Sequence, residues 1–134
     1  MKCALVVVAL LLLSASAWAG DSVHLENVRT EWQNAYGAIL YTVLADAKNS
    51  GATPVQYVKV KVELFDKNDK KVAERSGFNV GAEVLSDDAS VSPEKLARVK
   101  PIPAGGSDLV RISLDKSDIG KPFRSAKVSV VEVR

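Results

Sequence analysis

Val58-Lys59-Val60-Lys61-Val62-Glu63-Leu64 is the stretch that decides the fold. Its apolar residues fall at every second position, so Val58, Val60, Val62 and Leu64 share one face while Lys59, Lys61 and Glu63 share the other. That period belongs to a β-strand with one buried and one wet side, and a strand of this kind belongs to an antiparallel sheet. The segment runs on into Phe65-Asp66-Lys67-Asn68-Asp69-Lys70-Lys71-Val72. Asn and Asp tolerate positive φ, so this reads as a hairpin turn returning the chain along Val72 to Val80.

The same grammar extends outward in both directions. Val23 to Trp32 reads as a first strand, ended by Gln33-Asn34 and Gly37. Ala38 to Ala47 is apolar on both faces, with Ile39, Tyr41 and Val43 against Leu40 and Leu44, as a central strand requires. It stops at the turn cluster Asn49-Ser50-Gly51. Leu109 to Leu114 alternates Val110 and Ile112 with Arg111 and Ser113, after the turn Pro103-Ala104-Gly105-Gly106. Ala126 to Val133 closes the set, and its alternation slips at Val130-Val131, predicting a bulge or burial on both sides. Gly81 to Lys100 is the least regular stretch, and within it Ser92-Pro93-Glu94-Lys95-Leu96 offers a cap residue followed by proline at the first helical position. Lys100-Pro101 lies beyond the end of that helix. The predicted class is all-β: an immunoglobulin-like antiparallel β-sandwich of six or seven strands, with one short helix in an insertion.

The first residues carry a different message. Lys2 precedes the apolar run Cys3 to Leu13, and Ala17-Trp18-Ala19 fits the small-x-small rule for signal peptidase. The run is shorter than the roughly 20 residues that span a bilayer. Residues 1–19 therefore read as a cleaved secretory signal and 20–134 as one domain, periplasmic or secreted. The single cysteine, Cys3, lies at the wrong end of the signal to carry a lipid. The predicted mature part has no cysteine and must be stable without disulfides, which a domain of this size can manage. Without Lys2 the count is 17 basic against 16 acidic side chains. Such a balance gives no electrostatic support for binding nucleic acid.

Three segments together resemble the bacterial FxLYD group of immunoglobulin-like domains. They are Asn49-Ser50-Gly51, the strand Val58 to Asp66, and Pro103-Ala104-Gly105-Gly106-Ser107 before a later strand. Val62 stands where that group has its F, and Phe65 where it has its Y. The resemblance covers about residues 38–115, with Gly81 to Lys100 as an insertion. It implies a non-enzymatic extracytoplasmic domain, and it transfers no functional residue.

An inventory of reactive side chains narrows the chemistry. His24 is the only histidine and alternates with Val23 and Leu25, which places it on a solvent face. No mature thiol exists to act as nucleophile or metal ligand, and Met1 is the only methionine, against soft-metal handling. Two Ser-x-x-Lys spacings occur, Ser92 to Lys95 and Ser113 to Lys116, without the boxes that accompany this spacing in penicillin-binding enzymes. Helix capping is the reading for Ser92. Asp66-Lys67-Asn68-Asp69 lacks the glycine and register of a calcium loop, and Gly105-Gly106-Ser107 lacks the ending of a phosphate loop.

No catalytic residue, cofactor or metal ligand is therefore assigned. Trp32 and Tyr36 flank the first inter-strand loop and are the candidate partner contacts, with plugging the end of the core as the favoured reading. The turn lysines Lys67, Lys70 and Lys71 are interleaved with Asp66 and Asp69, as in a solvated turn. The leading expectation is an exported non-catalytic binding or assembly module whose partner is another envelope or extracellular protein. A carboxylate- or metal-dependent hydrolase would need Asp87, Asp88, Asp115 or Asp118 to converge in a pocket. An inhibitor of an envelope or host enzyme would need Gly81 to Lys100 to protrude as a rigid loop.

Overall fold

The computed structural model describes residues 22–87 and 91–134. The expected signal, residues 1–19, and Asp88 lie outside them. Six strands are formed: β1 (Val23–Ala35), β2 (Ala38–Asn49), β3 (Val58–Phe65), β4 (Lys71–Phe78), β5 (Ser107–Asp115) and β6 (Ser125–Val133). They build two three-stranded antiparallel sheets, in the orders β1-β2-β5 and β4-β3-β6. Hairpins supply β1-β2 and β3-β4, and the chain then crosses to add β5 to the first sheet and β6 to the second. This is the immunoglobulin-like arrangement of a β-sandwich.

The alternation of β3 is realised position by position. Val58, Val60, Val62 and Leu64 are fully buried, and the residues between them are partly exposed. They meet Tyr41, Val43 and Ala47 of β2, Val110, Ile112 and Leu114 of β5, and Val128 and Val130 of β6 in one inter-sheet core. Both strands with the most apolar sequence, β2 and β3, are central. The slip at Val130-Val131 is a bulge: Lys59 pairs with Glu132 and Val60 with Val130, leaving Val131 unpaired and exposed.

One end is organised by two buried asparagines. Asn49 Nδ2 donates to the carbonyls of Thr53 (2.9 Å) and Ile102 (3.0 Å), and its Oδ1 accepts from the Gly51 N–H. Asn79 Oδ1 accepts from Val58 N–H at 2.9 Å, and its Nδ2 donates to Asp108 Oδ2 at 2.8 Å. Asp108 also accepts from Gly81 N–H at 2.7 Å, tying the end of β4 across to β5. Side chains thus satisfy backbone groups that the end of the sandwich would otherwise strand without partners.

The insertion departs from its expected form. It contains a 3₁₀ segment, Val80–Asp87, as well as the helical turn Pro93–Leu96, and a further helical turn, Lys116–Ile119, joins β5 to β6. Ser92 caps Pro93–Leu96 as expected, accepting from Lys95 N–H at 3.2 Å. Ala82 and Leu85 are fully buried with Tyr57 and Val99 in a second cluster, against which Phe78 packs. Tyr57 and Phe78 meet edge-on at 5.4 Å. The described part of the insertion is thereby packed onto the sandwich.

Candidate functional site

The interesting end is the opposite one, where the β1-β2 and β3-β4 turns meet the β5-β6 crossing. β1 continues three residues past its expected end at Trp32, pairing up to Ala35↔Ala38. Only Tyr36 and Gly37 are left to turn the chain, with φ of 51° and 86°. Two successive residues of positive φ are the mark of the tight hairpin turn whose twist matches a β-ribbon. Gly37 takes that conformation at no steric cost. Tyr36 does not, because its Cβ crowds the backbone in the left-handed region; Asn or Asp would sit there more easily.

Trp32 and Tyr36 are therefore not in a five-residue loop: Trp32 packs on the end of the core, while Tyr36 stands clear of it. Trp32 lies on β1 directly opposite Tyr41, the rings 5.1 Å apart. Phe123 reaches over from the β5-β6 crossing, 4.8 Å from Tyr41 and 6.1 Å from Trp32. Tyr41 is the buried member of this trio, while Trp32 stays 52% exposed. Ile39, paired with Asn34 on the same side of the hairpin, is also exposed, and Tyr36 at the tip is fully exposed. The hairpin overhangs the opposite sheet, and the overhang carries the apolar side chains. At its base the buried Thr42 hydroxyl lies 2.9 Å from Ser113 Oγ and donates to Gln33 Oε1 at 3.1 Å, linking β1, β2 and β5. The overhang is thus mounted on a cross-linked sheet.

Charged loops surround it. In the β3-β4 turn, Asp66 accepts from the N–H groups of Asn68 (2.8 Å) and Lys70 (3.0 Å). These bonds, followed by the nearby charges of Lys70 and Lys121, hold its carboxyl below the usual range. Asp69 takes the positive φ of this turn. Lys71 is drawn back onto the strand surface by Glu74 and Glu63, contacts that raise its pKa. Lys67, Lys116, Lys121 and Arg124 project from the same end and have no ion-pair partner among the described residues. Asp69 and Asp118 stand between them. The rim is mixed in sign.

Of the carboxylates a hydrolase would need, Asp115 is occupied as a helix cap. Asp115 caps Lys116–Ile119, accepting from both the N–H and the hydroxyl of Ser117 at 2.9 Å, and these bonds lower its pKa. Asp118 lies exposed within that turn, and Asp87 ends the 3₁₀ segment. Among the described residues no three His, Cys, Asp or Glu side chains gather as a metal site would need. His24 is exposed on β1, opposite Lys48. Ser113 faces Thr42 rather than Lys116.

Sequence reasoning missed Phe123 and the overhang. Nothing near Phe123 in the chain signals that it will meet Trp32, and the Tyr36-Gly37 pair hides its turn because tyrosine is an unusual residue there. No helix among the described residues is long and apolar enough to cross a membrane. Comparison of the chain with family models, with curated proteins and with solved structures gives no match.

Proposed function

We propose that this chain is an exported, non-catalytic binding module that recognises another envelope or extracellular protein through its overhanging β1-β2 hairpin. The observation that carries this reading is Tyr36, a fully exposed tyrosine held at positive φ in a turn that favours Asn or Asp. A strained residue at an exposed tip argues for a role for its side chain. Tyrosine and tryptophan bury much area on binding while losing little side-chain freedom, and the two stand here on one rigid ribbon.

The surroundings favour a protein over an anionic polymer or a lipid surface. Either of the latter calls for a field of one sign, whereas this rim alternates lysine with aspartate, as the polar margin of a protein interface does. The sheet edges favour recognition by the end over strand addition. β1, β4 and β6 each carry a register irregularity, which blunts an edge. β5 has an unbroken ladder with β2, but Asn79 bridges to Val110 on its free side. Export rests on residues 1–19, and the likeness to FxLYD domains supports the same compartment.

The purified protein, immobilised and exposed to envelope extract and to culture medium, tests this reading. A single stoichiometric protein should be retained and should be lost from Tyr36→Asn and Trp32→Ala. Equal retention by wild type and Tyr36→Asn, or turnover of substrate without a protein partner, would overturn it.

A further inference from the structure

The outer face of the β1-β2-β5 sheet is turned away from both apolar clusters. Leu40, Leu44 and Leu109 lie half-exposed on it and belong to neither. The strand register sorts its charged side chains into cross-strand rows. Lys48 marks a first row, and Glu26 opposite Asp46 a second. Arg29 and Arg111 flank Leu44 in a third, and Glu31 marks a fourth. Successive rows are about 7 Å apart, two residues along a strand. Read along the sheet, their signs run positive, negative, positive, negative.

A bulge in β1 creates the third row. Glu26 and Arg29 are three residues apart, and on a regular strand they would point to opposite faces. The register shift between them, where Asn27 takes a φ of 53°, returns Arg29 to the face of Glu26. Arg29 then donates to the Asn27 carbonyl at 2.7 Å, and Asn27 Nδ2 donates to Asp46 Oδ2 at 3.1 Å. The irregularity thus fixes a charge in line.

Within one copy the rows are not neutralised. Glu26 stands directly opposite Asp46, and like charges so placed are destabilising. None of the six charged groups joins an ion pair among the described residues, where the ion pairs lie on the other sheet, between Lys61, Lys71, Glu63 and Glu74. Lys48 donates instead to the Gly105 carbonyl.

A second copy stacked face to face removes the imbalance. With a two-fold axis lying in the interface and across the strands, each strand meets its counterpart running the other way, and the row order reverses. Placed between the second and third rows, that axis sets Glu26 against Arg29 of the other copy and the Lys48 row against the Glu31 row. Leu44 and Leu109 then fall near the centre. An axis along the strands would instead lay each row on its own sign. The charge order therefore admits one stacking of the two.

We infer that the outer face of the β1-β2-β5 sheet binds a second copy of this chain, in an antiparallel two-fold dimer held by reciprocal Glu26–Arg29 pairs. The hairpin tip takes no part in it, and the dimer does not depend on the partner proposed for that tip.

The test is sedimentation equilibrium of the purified protein from micromolar to millimolar concentration. The wild type should dimerise reversibly, and added salt should weaken the dimer. Glu26→Arg and Arg29→Glu should each weaken it about tenfold or more, because each places like charges against each other twice. Both residues are exposed, so the amide NMR spectrum of each variant should remain native. An equimolar mixture of the two variants should associate again, since every reversed pair is then complementary. Tyr36→Asn should dimerise as the wild type does. A wild type that stays monomeric throughout overturns the inference. So does a dimer unaffected by either charge reversal, a mixture that fails to restore association, or a dimer lost in Tyr36→Asn.

Discussion

Tyr36 and Asn79 are residues of opposite kinds. Tyr36 contributes nothing visible to stability, since its ring is fully exposed and its φ is positive. Tyr36→Asn should therefore stabilise the protein by about 0.5–1 kcal/mol, because Asn enters the left-handed region more readily. A rise in the denaturant midpoint at unchanged slope, with loss of partner binding, is the expected pair of results. Asn79 is buried and bonds both Val58 and Asp108. Asn79→Ala should cost about 2–3 kcal/mol, the penalty for leaving buried partners unsatisfied, and should leave the hairpin end unaltered by NMR. Asp66 sets a third expectation. Its folded pKa lies below the unfolded value, so its stabilising contribution is present above the ordinary carboxylate range and is lost as pH falls through the folded value. Asp115 follows the same sign. Asp66→Ala should flatten the acid limb of a stability-versus-pH curve, and an unchanged acid limb would contradict the turn bonding described.

Among elements, the 3₁₀ segment is the one whose importance its sequence understates. Leu85 is fully buried in a small cluster apart from the inter-sheet core. Leu85→Ala should cost about 2–4 kcal/mol, with the loss concentrated locally. Amide exchange should quicken across residues 80–87 while the amides of β2 and β3 keep their protection. Leu64→Ala, in the main core, should instead lower protection throughout. The strands behave as their patterns promise: β3 alternates perfectly in burial, and β2 is central because both its faces are apolar. The length of β1 was less legible. Gln33 and Asn34 look like a strand end, yet they are paired with Leu40 and Ile39, because a two-residue turn lets the ladder run to its limit.

On the scale of the whole molecule, Tyr57 joins the second cluster to the last strand. Its hydroxyl donates to Glu132 at 2.6 Å, and burial first, then Glu132, raises its pKa. A raised folded value means stability is complete below the ordinary tyrosine range, near pH 10, and falls as pH climbs through the folded value. Alkaline unfolding followed by near-ultraviolet absorbance should show Tyr57 ionising with the global transition, and Tyr57→Phe should remove that coupling. Loops at one end, asparagine-fastened turns at the other, and blunted strand margins between them leave the hairpin overhang, among ends and margins, as the surface with distinctive chemistry.

Period-two burial, turn residues and the short helix at Ser92 were readable from the chain because each depends on neighbours within a few residues. So was the central place of β2, and the slip at Val130-Val131 offered the bulge as one of two readings. Which side chains would meet across the fold was not readable. Trp32 finds Phe123, and Gly77 comes up against Ile112, because strands distant in sequence are brought together by sheet pairing and inter-sheet packing. Local patterns determine which face of a strand is greasy; only closure of the two sheets decides which polar and aromatic groups are left together at the rim.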